Sequence, residues 1–146
     1  MATDYSRVLA AVDFAHENSA VIDRAVEIAQ RYQVELILLH VVEDLTLYQG
    51  EDPSIFDAVL IQRERIERAT QQRNVVRPQI AVPVVKTRIE VGTPKRKIVD
   101  IAEDDHVDLI VLGSHGRHGL QLLLGSTASG VLHSAKCDVL AVRVHD

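Results

Sequence analysis

A chain of 146 residues is the length of one ordinary domain and can bury a core without disulfides or structural metal. Its net charge of −5 at pH 7 argues against a broad cationic face for nucleic acid or anionic lipid, and 3% aromatics with no Trp leave no base-stacking platform. The lone cysteine, Cys137, can form neither an intramolecular disulfide nor a cysteine-based zinc site, which fits a reducing cytoplasm.

The first apolar run, Val8 to Val12, reads as a strand buried on both faces. It is too short for the apolar region of a signal peptide, and no stretch approaches the roughly 18 apolar residues of a membrane span. A polar, turn-prone segment from Asp13 to Ser19 follows. Val21, Ala25, Ile28, Ala29 and Tyr32 then recur at helical spacing and predict an amphipathic helix to about Tyr32.

Leu36 to Val42 is the second buried strand. Glu43 to Pro53, with Gly50 and four acids, reads as a loop. Ser54 with Asp57 three residues on has the spacing of a capping box. Ile55, Val59, Ile66 and Ala69 mark a long helix ending near Arg73, with an Arg-, Glu- and Gln-rich face expected in solvent. Ile80 to Val91 alternates and contains Pro83, which suits an edge strand.

Gly92-Thr93-Pro94 predicts a helix start, with Thr93 as N-cap and Pro94 as the first helical residue. Ile98, Ile101 and Ala102 carry that helix's apolar stripe. Val107 to Leu112 is the fourth strand, and a glycine-rich stretch from Gly113 to Gly125 follows it. Ala128, Val131, Leu132 and Ala135 form a short helix face, and Val139 to Val144 is the fifth strand. The alternation of strand and helix predicts one α/β domain over residues 1–146, with a mainly parallel sheet and no linker or repeat.

In open α/β sheets, ligands gather at the carboxyl ends of strands where strand order reverses. Two strand ends carry unusual chemistry. The first leads into Asp13. The fourth leads into Gly113-Ser114-His115-Gly116-Arg117-His118-Gly119, with Gly125-Ser126-Thr127 opening the next helix. Glycines allow close backbone approach to a phosphate, and a helix N-terminus adds partial positive charge. A small anion site of this kind depends on local donors and is compatible with an acidic protein. Ser126 and Thr127 add hydroxyls, and Arg117, His115 and His118 add donors. Neither a Walker loop nor a G-x-G-x-x-G fingerprint is present. The alternative is a glycine-capped strand end followed by an ordinary serine N-cap.

Gly113, Gly116, Gly125 and Ser126 resemble the glycine motif of the universal stress protein family's ATP-binding members. Eight residues separate Gly116 from Gly125, one fewer than in the family pattern. The resemblance spans the chain through Val12-Asp13-Phe14, His40-Val41-Val42, Gly92-Thr93-Pro94 and Asp108 to Gly116. It implies a single Rossmann-like open sheet of five parallel strands, ordered 3-2-1-4-5, with helices on both faces. It also implies ATP as ligand, sometimes with Mg²⁺ or Mn²⁺. Asp13 would then lie beside ribose and phosphates, the Val41 main chain would meet adenine, and Leu112 would line the pocket. Gly113, Gly116, Gly125 and Ser126 would hold phosphate, with Thr127 the next donor along. Ala11 stands where the family commonly has proline.

Each candidate also has a plainer reading. Asp13 can cap a turn, His40 can be a core histidine, and Arg117 can be a solvated loop arginine. His115 and His118 lack a third metal ligand. Cys137 is by default an inert small hydrophobe, and Lys95-Arg96-Lys97 a solvated run. No paired carboxylates or Ser-His-Asp arrangement can be placed, and the neighbours Ser114 and His115 do not by themselves make a triad. The expected function is a cytoplasmic, ATP-binding stress-response regulator, a homodimer through its last strand, Asp138 to Val144, acting on a partner such as a membrane transporter. Its rivals are a slow ATPase or nucleotidyl transferase on the same pocket, and an interaction module without nucleotide.

Overall fold

Alternating residues of the central strands are buried on opposite sides of one sheet, and this period of two organises the core. A computed structural model describes residues 4–13, 19–48, 54–82, 85–114 and 124–144. Its strands are β1 (Arg7–Ala11), β2 (Glu35–Glu43), β3 (Val85–Gly92), β4 (Leu109–Gly113) and β5 (Asp138–Val142). The helices are α1 (Ser19–Tyr32), α2 (Ile55–Val76), α3 (Pro94–Asp104) and α4 (Ser126–Ser134), with short 3₁₀ turns at Leu45–Tyr48 and Arg77–Gln79. The five strands pair in parallel in the order β3-β2-β1-β4-β5, as the resemblance implied.

Leu9, Ile37, Leu39, Ile110 and Leu112 face α3 and α4, where Ile98, Ile101, Ala102, Ala128 and Val131 complete one core layer. Val8, Ala10, Leu36, Leu38, Leu109 and Val111 face the other side, packed on Val21, Ala25 and Ala29 of α1. A single-residue slip in any central strand would exchange these two sets.

Several sequence expectations need local correction. Ser54 sits at the N-cap of α2 but has helical dihedrals (φ −68°, ψ −6°) and makes no side-chain cap bond. Side-chain capping normally uses extended backbone, and Asp57 is a methylene shorter than the residue a capping box requires. Thr93 does hold the extended N-cap conformation before Pro94. Its carbonyl accepts the Lys97 amide at 2.9 Å, while its hydroxyl makes no cap bond.

Helix α2 runs past Arg73 to Val76, and the 3₁₀ turn containing Pro78 ends it, since proline supplies no amide for continuing the ladder. It lies over the β2–β3 side of the sheet and buries Ala58 and Ala69, while Val59 turns outward. Leu132 of α4 and Tyr32 of α1 are also exposed; Tyr32 packs edge-on against Tyr5 with ring centroids 5.2 Å apart. Strand β3 is an edge strand, as Pro83 indicated, but starts at Val85; Pro83 itself lies outside the described residues. Strand β4 begins at Leu109 because Asp108 has another task. Its carboxylate accepts the Ser6 and Arg7 amides at 2.8 and 3.0 Å, fastening the start of β1.

Candidate functional site

The reversal in strand order falls between β1 and β4, each of which is followed by a helix on a different face of the sheet. Such a divergence opens a crevice above the carboxyl ends of the strands. A cavity of about 270 Å³ occupies that position, close to the lower end of the usual range for small-molecule sites.

Its floor and apolar wall come from Ala11, Leu39, Ile98, Leu112 and Ala128. Asp13 follows the end of β1, where the Val12 amide still donates to the Leu39 carbonyl at 2.8 Å. His40 and Val41 close one side. The His40 Nδ1 lies 2.9 Å from the Val12 carbonyl oxygen, so that nitrogen carries the proton and the ring is locked against β1.

Opposite them, Gly113, Gly125, Ser126 and Thr127 form the polar rim. The Gly125 amide donates to the Ser114 carbonyl at 2.7 Å, and the Ser114 amide donates to Val142 at 2.8 Å. These two bonds pin the start of α4 to the ends of β4 and β5. The first intrahelical bond of α4 runs from Ser129 to the Gly125 carbonyl. The amides of Ser126, Thr127 and Ala128 therefore have no acceptor within the helix and stand at the positive end of its dipole, an arrangement suited to an anion.

Seven of the residues singled out in the sequence thus surround one cavity: Asp13, Val41, Leu112, Gly113, Gly125, Ser126 and Thr127. His115, Gly116, Arg117 and His118 lie outside the described residues. His40, for which the sequence offers a core role, is half-buried and forms part of the wall. Pro94 and Ile98 also line the cavity, and their signal was the N-terminal position of the Gly92-Thr93-Pro94 helix start. Among the described residues, no group of three His, Cys, Asp or Glu side chains could hold a metal ion.

A second hollow of about 450 Å³ adjoins the first and shares Asp13, His40, Val41, Pro94 and Thr127 with it. Its outer wall is α2, through Arg65, Arg68, Ala69 and Gln72. From the sequence that face of α2 is expected in solvent. The spacing 65, 68, 72 is one helical stripe beside the buried Ala69, a signal masked by the charge of its members.

The pattern of the universal stress protein family matches residues 4–143. This chain belongs to that family. It is 37% identical over 142 residues to universal stress protein A homolog 2 of Coxiella burnetii, covering 97% of each chain. Universal stress protein UspA from Lactobacillus plantarum has a similar fold, with a TM-score of 0.78 at 33% identity, covering 97% of this chain and all of that one. Another solved member, 25% identical with a TM-score of 0.62 over 96% of this chain and 98% of its own, is a universal stress protein in complex with cAMP. Among the described residues of this family member, no helix is long and apolar enough to cross a membrane.

Proposed function

We propose that this universal stress protein binds an adenine nucleotide, ATP, at the carboxyl ends of β1, β2 and β4. The observation that carries the reading is the pairing of an apolar slot with helix-start amides that have no acceptor within α4, in one crevice at the strand-order reversal. A purine fits against Leu39, Ile98, Leu112 and Ala128, with the Val41 main chain at its edge. Asp13 is suited to accept ribose hydroxyls. Phosphate is held by the Ser126, Thr127 and Ala128 amides and by the two hydroxyls, with His115, Gly116 and Arg117 as further contacts from the glycine motif. The cAMP complex of a relative supports a nucleotide ligand. A Mg²⁺ or Mn²⁺ accompanying ATP would be coordinated chiefly by phosphate oxygens and water, since such hard cations dehydrate reluctantly and the described residues offer no ligand cluster.

In this reading the chain is a single cytoplasmic regulatory domain and a homodimer through β5. Nucleotide occupancy changes its interaction with a partner, a membrane transporter being one candidate. Mass spectrometry of ligand released by heat from purified protein tests it, alongside calorimetry with ATP and Mg²⁺. Adenine nucleotide in the released fraction, or saturable binding heat, is the expected result. Absence of both signals from folded protein would overturn the proposal.

A further inference from the structure

From the second hollow we infer that the ligand site continues beyond a mononucleotide, and that its full occupant is an adenine dinucleotide joined through a phosphate chain. This inference rests on the adenine-nucleotide reading and extends it. The first cavity, at about 270 Å³, holds little more than one nucleoside and its first phosphates. The hollow beside it is larger, about 450 Å³, and the two share a wall of five residues. Thr127 belongs to both. A phosphate chain that starts at the α4 amides therefore reaches the second hollow by passing over Thr127.

The chemistry across that boundary changes in kind. The first cavity has a largely aliphatic interior suited to a base. The second presents two guanidinium groups, Arg65 and Arg68, from consecutive turns of α2. Guanidinium forks match phosphate oxygens. Arg68 is shared with Glu64, 3.3 Å away, whereas Arg65 has no carboxylate partner among the described residues. Two carboxylates also face this hollow, Asp13 on the shared wall and Glu43 at the end of β2. They suit sugar hydroxyls and disfavour a hollow filled by phosphate alone. Gln72 lines the same wall, and its side-chain oxygen is buried without a hydrogen-bond partner among the described residues. Buried polar atoms are normally paired, and turning that amide toward the hollow gives it a nucleoside to bond. Phosphate on the arginines with sugar and base against Glu43 and Gln72 satisfies all of these groups together.

The test compares three probes by calorimetry: AMP, adenosine tetraphosphate and diadenosine tetraphosphate. Joining two bound groups makes the second contact intramolecular, so the dinucleotide should bind at least about tenfold tighter than AMP. It should also bind tighter than adenosine tetraphosphate, which carries the phosphates without the second nucleoside. The exposed pair Arg65→Ala with Arg68→Ala should remove the advantage over AMP and leave AMP affinity unchanged. Equal binding of dinucleotide and adenosine tetraphosphate, or an advantage that survives in the double variant, would overturn the inference while leaving the mononucleotide site intact. If the wild-type protein binds none of the three, the adenine-nucleotide reading fails and this inference with it.

Discussion

The Thr127 side chain stands at the rim of the cavity, on the first turn of a helix whose leading amides have no internal acceptors. Thr127→Val keeps its shape and helix geometry but removes the hydroxyl. Loss of one such hydrogen bond, about 0.5–1.5 kcal/mol, should weaken ATP binding roughly two- to tenfold without lowering the melting temperature. Calorimetry with a parallel thermal melt checks both halves. At the opposite end of the sheet, the Tyr5 hydroxyl donates to Asp138 Oδ2 at 2.8 Å. That hydrogen bond, reinforced by burial and by the carboxylate charge, pushes the Tyr5 phenol up to about 12. A folded-state value above the unfolded one stabilises the fold fully below the unfolded pKa, near 10. The contribution is lost as pH rises from there through about 12. Tyrosine absorbance titration should therefore show one late-ionising phenol, absent in Tyr5→Phe. Cys137 is governed by burial, which pushes its thiol up. Its slow reaction with thiol reagents at neutral pH, accelerating on unfolding, is the expected behaviour.

Helix α3 gives Pro94 and Ile98 to the cavity lining and α4 gives part of its polar rim, and the two helices lie close enough that a side chain at Gly130 would collide. A Cβ there would meet the Lys95 Cδ at 2.7 Å and Cβ at 3.1 Å. Alanine must displace the Lys95 Cδ, presses on its Cβ, which is fixed to α3, and gains helix propensity. Leucine must push α3 itself. Gly130→Leu should thus destabilise the fold by about 1–3 kcal/mol and weaken ATP binding through Pro94 and Ile98, as denaturant titration and calorimetry would show. The element order was plain in the sequence because the aliphatic runs of β1, β2 and β4 are buried on both faces. Boundaries were less plain where a residue serves a distant element. Asp108 interrupts an apolar run because it ties down β1, and Arg73 ends no helix because Pro78 does so later. The apolar stripe of α2 also differs from the one its larger aliphatic residues suggest. Its contact with the sheet uses small residues, Ala58 and Ala69, so larger ones such as Val59 are left outside. The candidate site was legible as far as glycines, Asp13 and strand ends could carry it. The role of His40 as wall was hidden, because only the fold shows that β2 passes Asp13 at His40 and Val41.

At the scale of the molecule, β5 is an edge of the sheet. The Val142 carbonyl faces inward to Ser114, so the amide of its neighbour Ala141 faces outward, available to a second copy. Proline at that position removes the outward donor and leaves the β4 ladder in place. Ala141→Pro should accordingly convert the proposed dimer to monomer in light scattering, with the circular dichroism spectrum preserved. Wild-type protein that is already monomeric would refute dimerisation through β5. The central claim is where the nucleotide sits, and amide chemical-shift mapping during titration with ATP addresses it most directly. Perturbations concentrated at Asp13, Val41, Leu112, Gly113 and Ser126 to Ala128, saturating together, are the expected result. Perturbations confined to the opposite end of the sheet, around Tyr5 and Cys137, or none at saturating ATP, would contradict it.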